Sequence, residues 1–462
     1  MAVEQSTKDL DTMLGNPRRA ILSMAIPLIL AMAAQNVNNL IDAIWVTDLG
    51  ADALAAVGLV FPIFFIMIAV GNGIGIGATA VISRYIGAGK RDYANRSATQ
   101  AFILSLVTSA LTTIVLLILF VPIMRFMGAE GNVLECCKSY GYPIVICTVI
   151  AVHVGVMSSL FRAEGAAKRS MTCQIIGAGL NIVLDPLFMF VFGWGLAGAA
   201  WATVVSMLAG MSVFFYWLFI KKDTYLELNF RGFKFDRKII GPILHVGIPA
   251  SIGMMIASIA MILMDNIIIV AGGSDGVASY TASWRIIQME MLPMMGISDA
   301  IVPVCAAAFG MRRGDKIASA FWYSFTLAIG ITLVLSLIVA LTANYVAVLF
   351  SYSEDTIRLR EDISQLLRIA AIFLPFSASG FIATSLFQSL GMGGRALVTS
   401  LVINVLQIPC CFILVNAGGG MNAVYWGICI TEIAGALVSV AWAILTMRKV
   451  GHFIGAGVPR ET

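Results

Sequence analysis

Apolar stretches long enough to cross a bilayer follow one another along almost the whole 462-residue chain, and that succession restricts the fold more than any motif does. Spanning a hydrocarbon core takes about 20 residues of helix. Twelve such stretches are read here, near 19–46, 54–83, 95–124, 139–162, 169–192, 196–220, 239–271, 277–309, 317–350, 362–390, 396–416 and 421–447. Composition agrees: 60% of the residues are hydrophobic and 12% charged, against about 25% charged in a soluble domain, and mean hydropathy is +0.93. The expected fold class is an all-α polytopic membrane protein with twelve transmembrane helices.

Charge is sorted by connection. Arg18, Arg19, Arg84, Lys90, Arg91, Arg96, Arg162, Lys168, Arg169, Lys221, Lys222, Lys234, Arg237, Lys238, Arg312, Arg313, Lys316, Arg395, Arg448 and Lys449 fall in alternate connections. The connections between them (47–53, 125–138, 193–195, 272–276, 351–361 and 417–420) are short and carry Asp48, Asp52, Glu130, Asp275, Glu354 and Asp355 among few cations. By the positive-inside rule the basic connections and both termini are cytoplasmic. The polar start of the chain has no cleavable apolar core, so the first span is expected to direct insertion into the cell membrane.

An internal duplication runs through the chain. Ser159-Leu160-Phe161, Gly165 and Arg169 return as Ser385-Leu386-Phe387, Gly391 and Arg395; Ile26-Pro27 returns as Ile248-Pro249. Gly87 and Asp92 return as Gly310 and Asp315, Asn181 and Pro186 as Asn404 and Pro409, and Trp201 as Trp426. A nearly constant shift of 222 to 226 covers six spans, an even number, so both halves share one orientation. Parallel repeats about an axis along the membrane normal form a transporter architecture with substrate between rocking halves. The expected division is an N-lobe at 1–220 with six spans, a cytoplasmic link at 221–238, and a C-lobe at 239–462 with the other six.

Two carboxylates stand out against this background. Asp42 and Asp185 lie inside apolar spans, where a charge costs at least about 2.5–3.5 kcal/mol. Their equivalents in the second half, Met264 and Ile408, are neutral, so the architecture does not demand the acids. At about 1.5 Å per residue, Asp42, Asp185 and Thr203 lie at similar distances from the outer ends of their helices. Asn181 precedes Asp185 by one turn on the same face. These four residues therefore form a candidate coupling-ion site: oxygen donors suit Na⁺, and a close acid pair also holds a proton. A structural hydrogen-bonded cluster is the competing reading.

Ile26-Pro27, Gln35, Asn39-Leu40, Asp42, Ile44-Trp45-Val46, Ala55-Ala56-Val57-Gly58, Gly179 to Pro186 and Trp284-Arg285 together resemble the multidrug and toxic compound extrusion (MATE) transporters, and within them the DinF-like branch of archaea and bacteria. The resemblance runs essentially from end to end. It implies a V-shaped twelve-helix antiporter that exports cationic or amphipathic compounds against Na⁺ or H⁺. It also implies an ion site at Asp42, Asn181, Asp185 and Thr203, a first helix that bends at Pro27, and cavity positions at Gln35 and Tyr140. Asn38 and Ser158 depart from the pattern, where relatives have tyrosine and asparagine, so substrate contacts are expected to differ there. Asp265, Glu290, Asp299 and Glu432 are acids at positions that look neutral in relatives. With Arg285 they make a candidate second polar site, or Asp265 or Glu290 pairs with Arg285, since buried charges seek partners.

Methionines concentrate in the seventh and eighth spans, and Met261 and Met289 are expected at the cavity, where flexible thioethers accommodate many shapes. Packing is the alternative. No P-loop supports ATP drive, no metal spacing of cysteines appears, and His153 and His245 receive no role. No catalytic constellation is read, so an intramembrane enzyme is disfavoured. Expected partners are organic-cation or drug substrates and membrane lipids, without nucleic acid, cofactor or, as a monomer, a second subunit. A flippase for lipid-linked precursors is the rival within transport; it calls for a strongly cationic cavity.

Overall fold

The computed structural model describes residues 7–351 and 354–455, and side chains over 7–351 and 356–451. The expected placements of the chain ends and of Glu354 and Asp355 lie outside the described residues and side chains. Thirteen α-helices are described: α1 (Lys8–Leu14), α2 (Pro17–Thr47), α3 (Ala51–Gly87), α4 (Arg91–Phe126), α5 (Gly131–Ile146), α6 (Thr148–Ala163), α7 (Ala167–Pro186), α8 (Gly195–Phe215), α9 (Arg237–Gly310), α10 (Gly314–Phe350), α11 (Arg360–Ser389), α12 (Gly393–Leu414) and α13 (Gly420–Gly455). Nine helices or continuous helical runs among the described residues are long and apolar enough to cross a membrane, and the α5–α6 pair, bent by 45°, makes a tenth. Two of the runs each hold two spans. The 74-residue α9 turns at Gly273, whose φ of 59° and ψ of −148° no helix contains, and α12 passes into α13 through Gly418 and Gly420, also at positive φ. Twelve membrane-crossing segments result.

Polar residues start the helices where the apolar runs begin. The Asn16 side chain accepts from the Arg18 amide at 3.0 Å ahead of Pro17, and Asp236 accepts from Lys238 at 2.9 Å ahead of α9; both are N-caps that satisfy otherwise orphaned donors. Sequence boundaries differ from the observed ones in three places. The amphipathic α1 precedes the first span. The fourth span is broken at Cys147, one turn after Pro143, which cannot donate to the turn before it. The connection expected at 125–138 shrinks to residues 127–130, because α4 and α5 continue beyond the apolar run.

Packing gives the bundle its V shape. The largest buried cluster joins both halves of the chain, with Met24, Ile86 and Phe161 beside Ile301, Cys305 and Phe387. Two further clusters do not mix: one is built from residues between Val46 and Ala200, the other from residues between Met264 and Cys429. One shared core at the end rimmed by arginines and lysines thus divides into two cores toward the opposite end. Large apolar side chains such as Leu111, Ile114, Ile118 and Leu341 stay exposed on the outside, as lipid contact requires.

The duplication is written into the join. A Cβ at Gly87 would collide with the Ala307 carbonyl, and one at Gly310 with the Arg84 carbonyl; the second contact is the first with the halves exchanged. Gly73 likewise abuts Gly247 and Ser251, while Gly296 abuts Ala25 and Ile29. Contacts that recur on exchange are what a two-fold relation between parallel repeats produces.

Residues 222–236, between the halves, form a strap rather than a helix. Glu164, 2% exposed at the turn between α6 and α7, accepts the amides of Tyr225 at 2.9 Å and Leu226 at 3.0 Å. Asn95 and Thr99 accept the amides of Glu227 and Asn229, and Arg169 pairs with Asp223 at 3.0 Å. The strap is therefore stitched to the ends of α4, α6 and α7.

Candidate functional site

Helical spacing sets out the site. Gln35, Asn38, Asn39 and Asp42 follow at i, i+3, i+4 and i+7 on α2, which stays one unbroken helix through Pro27. On α7, Ser170, Gln174, Asn181 and Asp185 form a matching stripe. These faces meet. Asn38 Nδ2 donates to Asn181 Oδ1 at 2.8 Å, and Asn181 Nδ2 donates to Asp185 Oδ1 at 2.8 Å. The Asp42 and Asp185 carboxyls lie within hydrogen-bonding reach of one another, and Tyr140 lies beside both.

Buried acceptors are left over. Asn38 Oδ1, Asp42 Oδ1 and Asp185 Oδ2 receive no donor, although Asp185 is 0% exposed and Asn38 and Asn181 are each 5% exposed. Buried polar atoms are nearly always satisfied, so three orphaned oxygens around two facing carboxyls make a place for a cation. Among the described residues no group of three His, Cys, Asp or Glu side chains comes together as a metal site would require; any Na⁺ here would rest on carboxylate, amide and hydroxyl oxygens. Thr203 borders the same space, with its hydroxyl donating to the Ala199 carbonyl at 3.1 Å and its lone pairs free to accept.

These groups line a cavity of about 710 Å³. Gln35, Asn38, Tyr140, Ser158 and Met289 border it, with Phe61 and Phe64 supplying aromatic wall. Met261 does not: it is 48% exposed elsewhere on its helix, where a thioether packs against lipid as readily as against a ligand. Ser158 shares a 2.5 Å hydrogen bond with Ser170, and Gln174 donates to both. Sequence reasoning missed Gln174, Ser206 and Arg162 in this lining, and the buried Ser170 that holds Ser158 and Gln174 from behind it, although the spacing of Ser170 and Gln174 from Asn181 and Asp185 put them on one helical face.

The second-half acids do not form one site. Glu290 accepts from Ser336 at 2.9 Å and Glu432 from Ser377 at 2.7 Å; Asp265 lies near Tyr280, as does Glu432. Asp299 reaches across the halves at 3.9 Å to Arg162, itself part of the cavity lining. The expected pairing of Arg285 with Asp265 or Glu290 is absent among the described residues, because a serine hydroxyl satisfies Glu290 and Arg285 points into the cavity instead.

Comparison with known proteins places this geometry. The family model described as MatE matches twice, over residues 27–187 and 249–413. The Multidrug export protein MepA of Staphylococcus aureus is 26% identical over 431 residues, covering 91% of this chain and 92% of its own. A transporter of the MOP superfamily from Pyrococcus furiosus, described as having a binding pocket of reverse polarity that suggests a different function, is 36% identical; the match covers 96% of this chain and 99% of that one, with a TM-score of 0.93. A crystal structure of MATE in the bent conformation also superposes with a TM-score of 0.93, at 35% identity over 97% of this chain and 100% of the other.

Proposed function

The chain belongs to the MATE family of membrane transporters, and we propose that it exports cationic and amphipathic organic compounds in exchange for Na⁺ or H⁺ bound at Asp42 and Asp185. One observation carries this reading: two facing carboxyls with orphaned oxygens form the wall of a drug-sized cavity between the halves. Like charges that close cannot both remain ionised without a counter-charge. A proton or Na⁺ supplies it, and so does a substrate ammonium.

Exchange follows from that competition. The positive-inside rule puts the basic end in the cytoplasm, so the described state, sealed at that end by the glycine crossings, opens outward. An ion entering from outside neutralises the pair, with Asn181 and Thr203 as further ligands, and displaces the bound cation. Pro27, which interrupts the hydrogen-bond ladder of α2, is where that helix bends as the site fills. Reset to the inward-open state reloads the site. Coupling requires that ion and substrate favour different states, because a ligand without differential affinity shifts nothing. The export activity named for the staphylococcal relatives supports the direction of transport.

The test is efflux of a fluorescent organic cation from proteoliposomes under imposed Na⁺ or H⁺ gradients. Wild type should respond to one gradient, and Asp42→Asn or Asp185→Asn should lower gradient-driven efflux at least about tenfold, the loss expected when a charge-assisted contact worth 1.5–3 kcal/mol is removed. Efflux that survives both substitutions would move coupling to another carboxylate. A protein that scrambles lipid-linked pyrophosphates but exports no cation would establish the flippase alternative.

A further inference from the structure

The export reading leaves one cavity residue without a task. Arg285, on the arm of α9 that follows the Gly273 bend, borders the same space as Asp42 and Asn181, with Gln288 and Met289 beside it. It makes no ion pair and no hydrogen bond with any described residue. Of the acids that might have claimed it, three are engaged elsewhere, Glu290 by Ser336, Asp299 by Arg162 and Glu432 by Ser377, and Asp265 lies near Tyr280, outside the cavity lining. Arg285 lies twelve residues past the bend, about 18 Å along the helix, which is near mid-depth in a hydrocarbon core of about 30 Å. A charged side chain at such depth marks a substrate or ion path, and a guanidinium recognises planar anions through paired hydrogen bonds.

We propose that Arg285 is the anion-recognising residue of the cavity, and that the substrates this chain prefers are amphoteric. The cationic group of such a molecule, a protonated amine or the delocalised cation of a dye, faces Asp42 and Asp185, its carboxylate rests on the Arg285 guanidinium, and its aromatic body lies along Phe61 and Phe64. A purely cationic compound satisfies one wall and leaves Arg285 with water. An amphoteric one satisfies both, and its carboxylate moves with the second half of the chain while its cationic group competes with the ion on the first. The proposal rests on the export reading only for the direction of movement; recognition itself is an equilibrium property.

A matched pair of dyes tests it: a rhodamine with a free carboxylate and the methyl ester of the same dye. Binding is measured first in maltoside micelles, which hold no phosphate, so that a lipid headgroup cannot stand in for the carboxylate. Wild type should bind the acid about tenfold more tightly than the ester, a difference of about 1.4 kcal/mol. Arg285→Gln should bring that ratio close to one, and Arg285→Lys should keep part of it, since a lysine retains the charge but not the paired geometry. Equal affinity of wild type for acid and ester, or the same fractional loss of both in Arg285→Gln, would overturn the proposal and leave Arg285 a structural residue. Repeating the pair in proteoliposomes separates the two readings. Selective binding without gradient-driven export overturns the export reading alone, whereas export of both dyes with no preference for the acid overturns this one.

Discussion

Asn181 sits between two side chains and serves each differently. Its amide nitrogen donates to Asp185 and its amide oxygen accepts from Asn38, so it fixes the orientation of Asp185 and links α7 to α2. Asn181→Ala removes both bonds and leaves Asn38 and Asp185 buried without those partners, at a cost of about 1–3 kcal/mol for each unsatisfied group. Asn38→Ala removes only the outer bond. Gradient-driven efflux should therefore fall at least about tenfold in Asn181→Ala and less in Asn38→Ala. The double variant should be no worse than Asn181→Ala, because the two residues act in series. Equal and additive losses in the two single variants would show that the asparagines do not act as a relay. The acids at the centre of this arrangement were legible in the sequence because a charge inside an apolar run needs a reason. Asn38 was visible only as a departure from a family pattern. Its bond to Asn181 spans 143 positions, and spacing along one helix says nothing about a partner on another.

The strap behaves as an element although it has no regular secondary structure. Its anchor, Glu164, lies outside the membrane-spanning segments and is pushed up to about 7, first by burial, against the pull of the Leu226 amide, Arg169 and the Tyr225 amide, with Asp9 adding to the rise. A carboxyl with a raised value binds its proton more tightly when docked than when free. Docking is therefore strongest below the ordinary value of 4.5, and the stabilisation is lost as pH rises through about 7. The whole difference corresponds to about 3 kcal/mol. Hydrogen exchange of the amides at 224–230 in wild type should accelerate between pH 6 and 8 beyond the intrinsic base dependence. Glu164→Gln, which accepts the same amides without titrating, should show only the intrinsic dependence. A wild-type profile parallel to that of the variant would refute the sign and the anchor together. Sequence reading marked 221–238 as a link from its basic composition and lack of a span, and the strap lies within it at 222–236. It did not find Glu164, because a single acid in a turn between spans looks like any solvated loop residue until the turn is seen to be covered.

Closure of the whole molecule depends on backbone approach at the basic end, where α3 and α9 cross through Gly87, Ala307, Arg84 and Gly310. No side chain can yield at this crossing, because the atoms that a Cβ would meet are carbonyls. Relief requires the two helices to separate, and with them the halves they belong to. The shared core beside the crossing is apolar, so separation exposes surface that an inward-open state would expose in any case. Gly87→Val should therefore displace the population toward an opening at the basic end, and Gly310→Val should do the same by the two-fold relation. Cys305 reports on this directly: it is 0% exposed two residues from Ala307, and as the sole cysteine of an otherwise cysteine-free variant it should resist alkylation from the basic side. Either valine substitution should raise the rate of that alkylation several-fold, and a saturating outside ion should lower it again if the ion favours the sealed state. Gly58→Val, at a helical glycine with open space around it, controls for the general effect of a β-branched residue. Protection of Cys305 that is unchanged in both crossing variants, as in the control, would mean that the halves are held together elsewhere, and the Arg162–Asp299 pair at 3.9 Å would be the contact left to carry the closure.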